Sequence, residues 1–332
     1  MKAIICEKYG PPDVLRMCEV ATPVPADNEL LIRVRATTVS SGDWRVRSLA
    51  MPRGFGVLGR PMLGFRAPRQ PILGTELAGD VVAMGRAVTS FNTGDRVFAF
   101  PGGRMGGYAE YVCMPADGAV ARIPSNLGYE QAAALSFGGS TMLDFFRRGT
   151  LKKGDRVLVN GASGAVGTAA VQLARHMDAH VTGVCSTGNL ELVRSIGADQ
   201  VIDYTRHDFT ELGETFDVIV DTAGTAPFAR SAASLASGGR LLLVNATLAE
   251  LLLAPWRTMT GDRKVIAGPA QERIEYVHQL AELAAAGIFR PVIDRTYPFE
   301  GIVDAHRYVD LGHKKGSVVI VLAADGVRST FN

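Results

Sequence analysis

The chain has 332 residues, 47% of them hydrophobic, with 35 Lys and Arg against 33 Asp and Glu. At roughly 100–200 residues per domain that length implies two cores, and a net charge of +2 gives no global case for a nucleic-acid or membrane-surface partner. The four cysteines, Cys6, Cys18, Cys113 and Cys185, are scattered without a CxxC pair, so they suggest neither a disulfide framework nor a cysteine zinc cluster and fit a reducing cytoplasm. The N-terminus MKAIICEKYG lacks the apolar core of a signal peptide. The most apolar window, LLLVNATLAELLLAPW, is interrupted by Asn245 and Glu250, falls short of the ~20 residues of a membrane helix, and reads as a buried strand followed by a connecting segment.

The first ~120 residues carry short alternating runs, ELLIRVRATTV and ELAGDVVAMG among them, punctuated by Gly and Pro turns, which predicts a β-rich domain. Period-2 placement sets Arg33 and Arg35 on one solvated face. Between Asp43 and Glu76 lie six arginines, Arg45, Arg47, Arg53, Arg60, Arg66 and Arg69, and no acid. That run is open to three readings: a solvated loop, a flap attracting anionic ligand groups, or a surface for anionic lipid or nucleic acid. Next, FNTGDRVFAFPGGRMGGYAEYV reads as strand, glycine-rich loop and strand, and SNLGYEQAAALSFGGSTMLDFFRRG as a helix broken at Gly138-Gly139 and resuming at Thr141.

The stretch DRVLVNGASGAVG, Asp155 to Gly167, organises the second half of the chain. Val157-Leu158-Val159 has the texture of a strand buried on both faces, and Val166, Ala170, Leu173 and Met177 recur at helical spacing beyond the turn. Glycine serves here for a steric reason: backbone N–H groups and a helix N-terminus close on a pyrophosphate only where no side chain intervenes. The spacing is GxxGxxG, over Gly161, Ala162, Ser163, Gly164, Ala165, Val166 and Gly167, with Ala162 where the commonest GxGxxG fingerprint has its first glycine. Strands HVTGVCS, DQVIDY, FDVIVDTAG, GRLLLVNA and RKVIAGPA then alternate mostly with helices such as NLELVRSIG and PFARSAASLA. That pattern predicts an α/β, doubly wound parallel sheet with ligand at the carboxyl ends of its strands, where Ala223, Val244 and Asn245 would face the cofactor. A helix stopped by Gly287 and Pro291 closes this region, and GSVVIVL returns as a final strand to complete the first domain. The expected domains are therefore 1–124 with 292–332, and 125–291.

The order of a β-rich domain, ILGTELAGDVVAMG, GDRVF, NGASGAVGTAAVQLAR, GAD and GSVVIVL resembles the medium-chain dehydrogenase/reductase superfamily across essentially the whole chain, and within it the zinc-independent quinone oxidoreductases related to zeta-crystallin. The resemblance implies a GroES-like β-rich substrate domain beside a Rossmann dinucleotide-binding domain. Zinc alcohol dehydrogenases of that superfamily bind metal through an early Cys, a His in GHE, and a later Cys or acid. The matching stretches here read Ser40-Ser41-Gly42-Asp43, Gly74-Thr75-Glu76 and Ser136-Phe137-Gly138-Gly139, and the earliest histidine is His176. Zinc needs Cys, His or carboxylate ligands converging tetrahedrally, which Asp43 with Glu76 cannot supply alone, so no zinc is expected.

NAD specificity in such folds commonly uses an acid at the end of the second strand. This strand ends Val184-Cys185-Ser186-Thr187-Gly188-Asn189 without one, and Ser186 and Asn189 can donate to a 2′-phosphate, which favours NADPH while leaving NADH possible. The resemblance adds Tyr204 beside the phosphate or adenine and implies a Lys or Arg near 188 or 189, for which Arg194 or Arg206 would have to compensate. Without metal, the open chemistry is hydride transfer to a conjugated carbon of a quinone or an α,β-unsaturated carbonyl. The family pattern sets Asp43 at the cleft floor and Thr141 on the nicotinamide side, as the catalytic candidates, with Ser40, Trp44 and Arg47 lining the substrate site. Asp43 has a second reading, as a helix-cap carboxylate. Two other functions remain open: a zinc-free alcohol dehydrogenase, and a non-catalytic NADPH-binding protein whose arginine-rich segment meets an anionic, RNA-like partner. A homodimer is expected through an exposed edge at Leu241–Val244.

Overall fold

A computed structural model describes residues 1–323; the remainder of the expected first domain, 324–332, lies outside the described residues. The chain forms two compact units, one from Met1–Ala50, Val57–Phe137 and the segment from Arg273 onward, the other from Met51–Gly56 and Gly138–Glu272. Segments 125–137 and 273–291, grouped by periodicity with the dinucleotide half, thus pack with the first unit. The helix Tyr129–Ala133 lies on the strand Glu29–Thr38, and Asn126 Nδ2 donates to the Ala284 carbonyl at 2.9 Å.

The first unit is built on a seven-stranded sheet running Ile293–Pro298, Ser317–Val321, Glu29–Thr38, Leu77–Met84, Arg96–Ala99 and Val120–Arg122, with Tyr111–Pro115 also paired to Glu29–Thr38. Alternation explains the central strand: Leu30, Ile32, Val34 and Ala36 are buried while Arg33 and Arg35 are turned outward, Arg35 reaching Asp80 at 2.7 Å. Leu30, Ile32, Leu77, Val97, Val318 and Ile320 make one core. Ser317–Val321 pairs antiparallel with Glu29–Thr38, so the last strand completes the unit begun by the first residues.

The second unit holds six parallel strands in the order Gln200–Asp203, His180–Cys185, Arg156–Asn160, Phe216–Asp221, Leu235–Leu243, Lys264–Ala267. Counted along the chain this is 3-2-1-4-5-6, the doubly wound arrangement, and the order reverses between Arg156–Asn160 and Phe216–Asp221. Val157, Leu158 and Val159 are wholly buried, as a strand covered on both faces requires.

Several local expectations differ. The helical break falls at Ala134-Leu135, and the helix Ser136–Gly149 runs straight through Gly138-Gly139. The glycine at 138 serves close packing instead of a turn. PFARSAASLA is cut to the helix Phe228–Ser231 and one 3-10 turn, because Leu235 is already paired with Phe216 in the sheet. The segment expected as a connector is the helix Leu248–Thr260, started by a reciprocal cap between Thr247 and Glu250. Leu235–Leu243 is not an edge: it lies between Phe216–Asp221 and Lys264–Ala267, and the latter strand forms that margin of the sheet.

Candidate functional site

The glycine turn leaves the strand Arg156–Asn160 at its carboxyl end. Gly161 sits at φ +83°, and a β-carbon there would lie 2.6 Å from Thr222 Oγ1; one at Gly167 would lie 2.1 Å from the Gly161 carbonyl. Both positions exclude any side chain. Ala162 is fully buried, in room left by Gly183 on the next strand, which is why alanine is accepted at the first position of the fingerprint. The N–H groups of Gly161 and Ala162 donate to the Val184 carbonyl at 3.1 and 3.0 Å, tying the turn to the second strand. Gly164, in an extended conformation, caps the helix Ala165–His176. The first-turn N–H groups of Ala165, Val166 and Gly167 have no intrahelical acceptor and carry the positive end of the helix dipole, a donor set that fits a pyrophosphate.

Asp221, absent from the sequence-derived candidates, builds the facing wall. Its carboxylate, 1% exposed, accepts from Ala223 N at 3.2 Å, Gly224 N at 2.9 Å, Thr225 N at 3.4 Å, Ala226 N at 2.9 Å and Asn160 Nδ2 at 2.8 Å. Ala223 is thereby held against Gly161, and Gly224, at φ +76°, against Asn245; Val244 N donates to the Asp221 carbonyl at 3.1 Å. Its signal along the chain is an acid closing the strand before Thr-Ala-Gly. Ala223 thus meets the glycine turn at the strand ends, and Val244 and Asn245 stand behind it against Asp221 and Gly224.

On the other side, Asn189 Nδ2 donates to Ser163 Oγ at 3.1 Å and Ser186 Oγ at 3.2 Å. An acid does stand nearby, on the third strand: Asp203. Its oxygens are occupied by Thr187 Oγ1 at 2.5 Å, Thr205 Oγ1 at 2.7 Å and Thr205 N at 3.0 Å, and Arg206 lies 3.6 Å away. Tyr204, 58% exposed, lines a cavity of about 370 Å³ with Gly161, Val184, His207, Phe209 and Ala223. Thr141 lies one helical turn beyond Gly138, whose β-carbon would stand 2.6 Å from the Ala165 carbonyl.

The first unit holds a separate polar cluster. Ser40 caps the helix Ser41–Ser48, and Asp43 closes the box: its carboxylate accepts from Ser40 N at 2.8 Å, Ser40 Oγ at 2.6 Å, Gly74 N at 3.1 Å and Thr75 Oγ1 at 3.4 Å. Full burial pushes the Asp43 acid up to about 6 against those hydrogen bonds. Glu76, equally enclosed, accepts from Thr38 Oγ1 and Phe137 N, each at 2.6 Å, and burial raises it to about 7. Tyr108 meets His306 Nε2 at 3.2 Å, and burial, with Arg47 close by, drops the imidazole to about 3, so it stays neutral.

Arg47, expected to line the substrate site, has its side chain wholly buried, with Nη1 on the Gly10 carbonyl and Nη2 on Asp310, both at 2.6 Å, so it braces the fold at these two points. Trp44 packs half-buried against the same core. Of the other arginines in the run, Arg60 caps the Phe65 carbonyl and Arg69 donates to the Pro61 carbonyl at 2.8 Å. Among the described residues no group of three or more His, Cys, Asp and Glu is arranged to hold a metal ion, and no helix is long and apolar enough to cross a membrane.

Residues 26–125 match the alcohol dehydrogenase GroES-like domain, and residues 196–320 the zinc-binding dehydrogenase family. A quinone oxidoreductase from Sus scrofa is 33% identical over 331 residues, spanning 96% of this chain and 95% of the relative. A 2-methylene-furan-3-one reductase from Solanum lycopersicum is 31% identical, spanning 96% of this chain and 79% of that protein. The quinone oxidoreductase of Coxiella burnetii superposes with a TM-score of 0.84 at 28% identity, over 97% of this chain and 99% of the other. With a GroES-like unit and a doubly wound dinucleotide unit both matched, the chain belongs to the quinone oxidoreductases of the medium-chain dehydrogenase/reductase superfamily, and it is an NAD(P)H-dependent oxidoreductase.

Proposed function

We propose that the chain is a zinc-independent reductase that prefers NADPH and passes hydride to a quinone or an α,β-unsaturated carbonyl. The observation that carries this reading is a glycine cradle whose second-strand side offers hydroxyls and an amide, while the neighbouring carboxylate of Asp203 is consumed by its own threonines. The nicotinamide, when bound, supplies the hydride for a carbon already made electrophilic by conjugation. Gly161 through Gly167 receive the pyrophosphate; Ser186 and Tyr204 take the adenosine end, with Asn189 behind Ser186; Ala223, Val244 and Asn245 form the facing wall; Thr141 stands on the nicotinamide side. Asp43 is a positioning residue that fixes Ser40 and Thr75, and Ser40 and Trp44 border the substrate. The enone relative supports the acceptor class. The zinc-free reading rests on Asp43 and Glu76, whose oxygens are already committed to protein donors.

The substrate domain is proposed as the discontinuous β-rich part and the dinucleotide domain as the parallel-sheet part. We propose a homodimer through the margin strand Lys264–Ala267 and the neighbouring helix, on which Leu252, Trp256 and Met259 are exposed along one face, together with Leu253. Four unpaired cysteines suit a reducing compartment, proposed as the cytoplasm. The anionic-partner reading loses ground because Arg47, Arg60 and Arg69 are spent on carbonyls and a carboxylate of the chain itself.

The test is NADPH and NADH oxidation against a panel of quinones and enones, before and after chelation. NADPH-linked turnover that survives chelation is expected. Turnover confined to alcohols, or abolished by chelation and restored by zinc, overturns the proposal.

A further inference from the structure

Asn189 joins two segments that are far apart in the chain. From one nitrogen it reaches Ser163 on the glycine turn, at 3.1 Å, and Ser186 at the end of the second strand, at 3.2 Å. The amide is 8% exposed, and its Oδ1 is buried without a partner. Its orientation follows from that enclosure. Turned over, the amide would bury two N–H donors without acceptors where it now buries one orphaned acceptor, and orphaned buried donors are costly.

The consequence falls on the two hydroxyls. A serine Oγ carries one proton and two lone pairs. When a lone pair is taken by an amide N–H, the proton has to point elsewhere, and neither Ser163 Oγ nor Ser186 Oγ has a second hydrogen bond among the described residues. Both serines are half-buried, so their hydroxyls remain within reach of a ligand. Asp203 does not compete for the protons, since Thr187 and Thr205 occupy it. The result is a pair of hydroxyl donors of matched polarity with no carboxylate and no lysine between them.

We propose that Asn189 sets the cofactor preference as a positioning residue: by donating to both serines it holds Ser163 and Ser186 as donors for a phosphomonoester on the adenosine ribose. This rests on the dinucleotide reading above. The pair is neutral, so it gains from a dianion through charge-assisted hydrogen bonds alone. Each hydroxyl also keeps a lone pair for a ribose O–H, so NADH remains a usable, weaker ligand.

The test measures dissociation constants of 2′,5′-ADP and 5′-AMP, and of NADPH and NADH, by titration calorimetry and nucleotide fluorescence on the full chain. For the parent protein 2′,5′-ADP should bind about tenfold tighter than 5′-AMP, the scale of one charge-assisted hydrogen bond. Asn189→Asp keeps the shape but converts the central group to an acceptor. Both serine protons then turn inward, and 2′,5′-ADP binding should be lost with 5′-AMP retained, moving the ratio by about 100-fold toward NADH. A residue that merely holds the turn in place would weaken all four ligands alike and leave the ratios alone. Should Asn189→Asp fold poorly by thermal melting, the double variant Ser163→Ala with Ser186→Ala decides: it should lower 2′,5′-ADP affinity about tenfold and spare 5′-AMP. Unchanged ratios in these variants overturn the role of Asn189 while leaving NADPH use standing. Failure of the parent protein to bind any of the four ligands overturns the dinucleotide reading as well.

Discussion

Gly138 stands against the carbonyl of Ala165, so close that a β-carbon on the glycine would lie 2.6 Å from the oxygen. The helix carrying Thr141 is thereby seated directly on the first turn of the helix Ala165–His176, the one proposed to receive the pyrophosphate. Alanine is the better helix former by up to about 1 kcal/mol, but the obstruction here is backbone, which has no rotamer to yield. Gly138→Ala is therefore expected to lower the melting temperature and weaken NADPH and NADH together, each by about tenfold, a cost of one overpacked contact. Fluorescence titration checks it; unchanged affinity would show that the turn tolerates displacement.

Gly188 lies exposed beside Asn189, and a β-carbon there meets nothing within 4 Å. An arginine at this position has room to reach an anion bound at Ser186. Gly188→Arg is expected to tighten NADPH by about tenfold with little change for NADH, the scale of one exposed charge-assisted hydrogen bond. The gain should shrink as salt rises, because an exposed pair is screened. Kd measured at low and high salt tests both statements.

Arg47 is fully buried while its partner Asp310 keeps 30% side-chain exposure. Removal of the guanidinium leaves the Gly10 carbonyl unpaired and a cavity behind, whereas Asp310 can rehydrate. Arg47→Ala should cost about 3 kcal/mol of stability, the lower end for a broken buried pair. KM for quinone substrates should stay within about twofold in the folded fraction, since the energy is lost in the fold rather than in substrate contacts. A selective rise in KM at unchanged stability would return Arg47 to the substrate site.

Glu76 gives a pH dependence with a definite sign. Its acid form is favoured in the fold, raised from 4.5 to about 7 by burial, so the folded state binds the extra proton across that interval. Stability should fall as pH rises from about 5 to 7.5, with about 3 kcal/mol of the loss owed to Glu76 at 1.36 kcal/mol per pKa unit. Asp43, raised to about 6, acts in the same direction; Lys314, lowered to about 8 by its burial, changes charge above that range. Glu76→Gln keeps one oxygen to accept from Phe137 N and turns an amide N–H toward Thr38 Oγ1, which then accepts where it now donates; with no proton to titrate, it should flatten the loss in denaturant melts at pH 5 and pH 7.5. A slope that persists unaltered would move its origin away from Glu76.

Much of this protein was legible along the chain. Alternation in Glu29–Thr38, the apolar run at Val157–Val159 and the glycines at 161 and 167 report geometry within a few residues of themselves, since side-chain direction in a strand and steric access at a turn are local matters. Segment types failed where distant partners decided. Leu235 left the predicted helix for a place beside Phe216, and the Leu241–Val244 edge was covered by Lys264–Ala267.

The amino-acid sequence by itself determined the two-unit class, the parallel sheet, the glycine cradle and the loss of the metal-ligand residue types, because periodicity and residue chemistry are properties of short stretches. Tertiary structure alone decided that Gly138 is a contact rather than a break, that Arg47 is a brace to Asp310, that Asp221 holds the wall of the cradle, and that Asn189 faces two serines. Those roles depend on which atoms a folded backbone brings to hydrogen-bonding distance, 2.6 to 3.2 Å, across 3 to 263 residues of chain, and hydrogen-bond polarity exists only once both partners are in place.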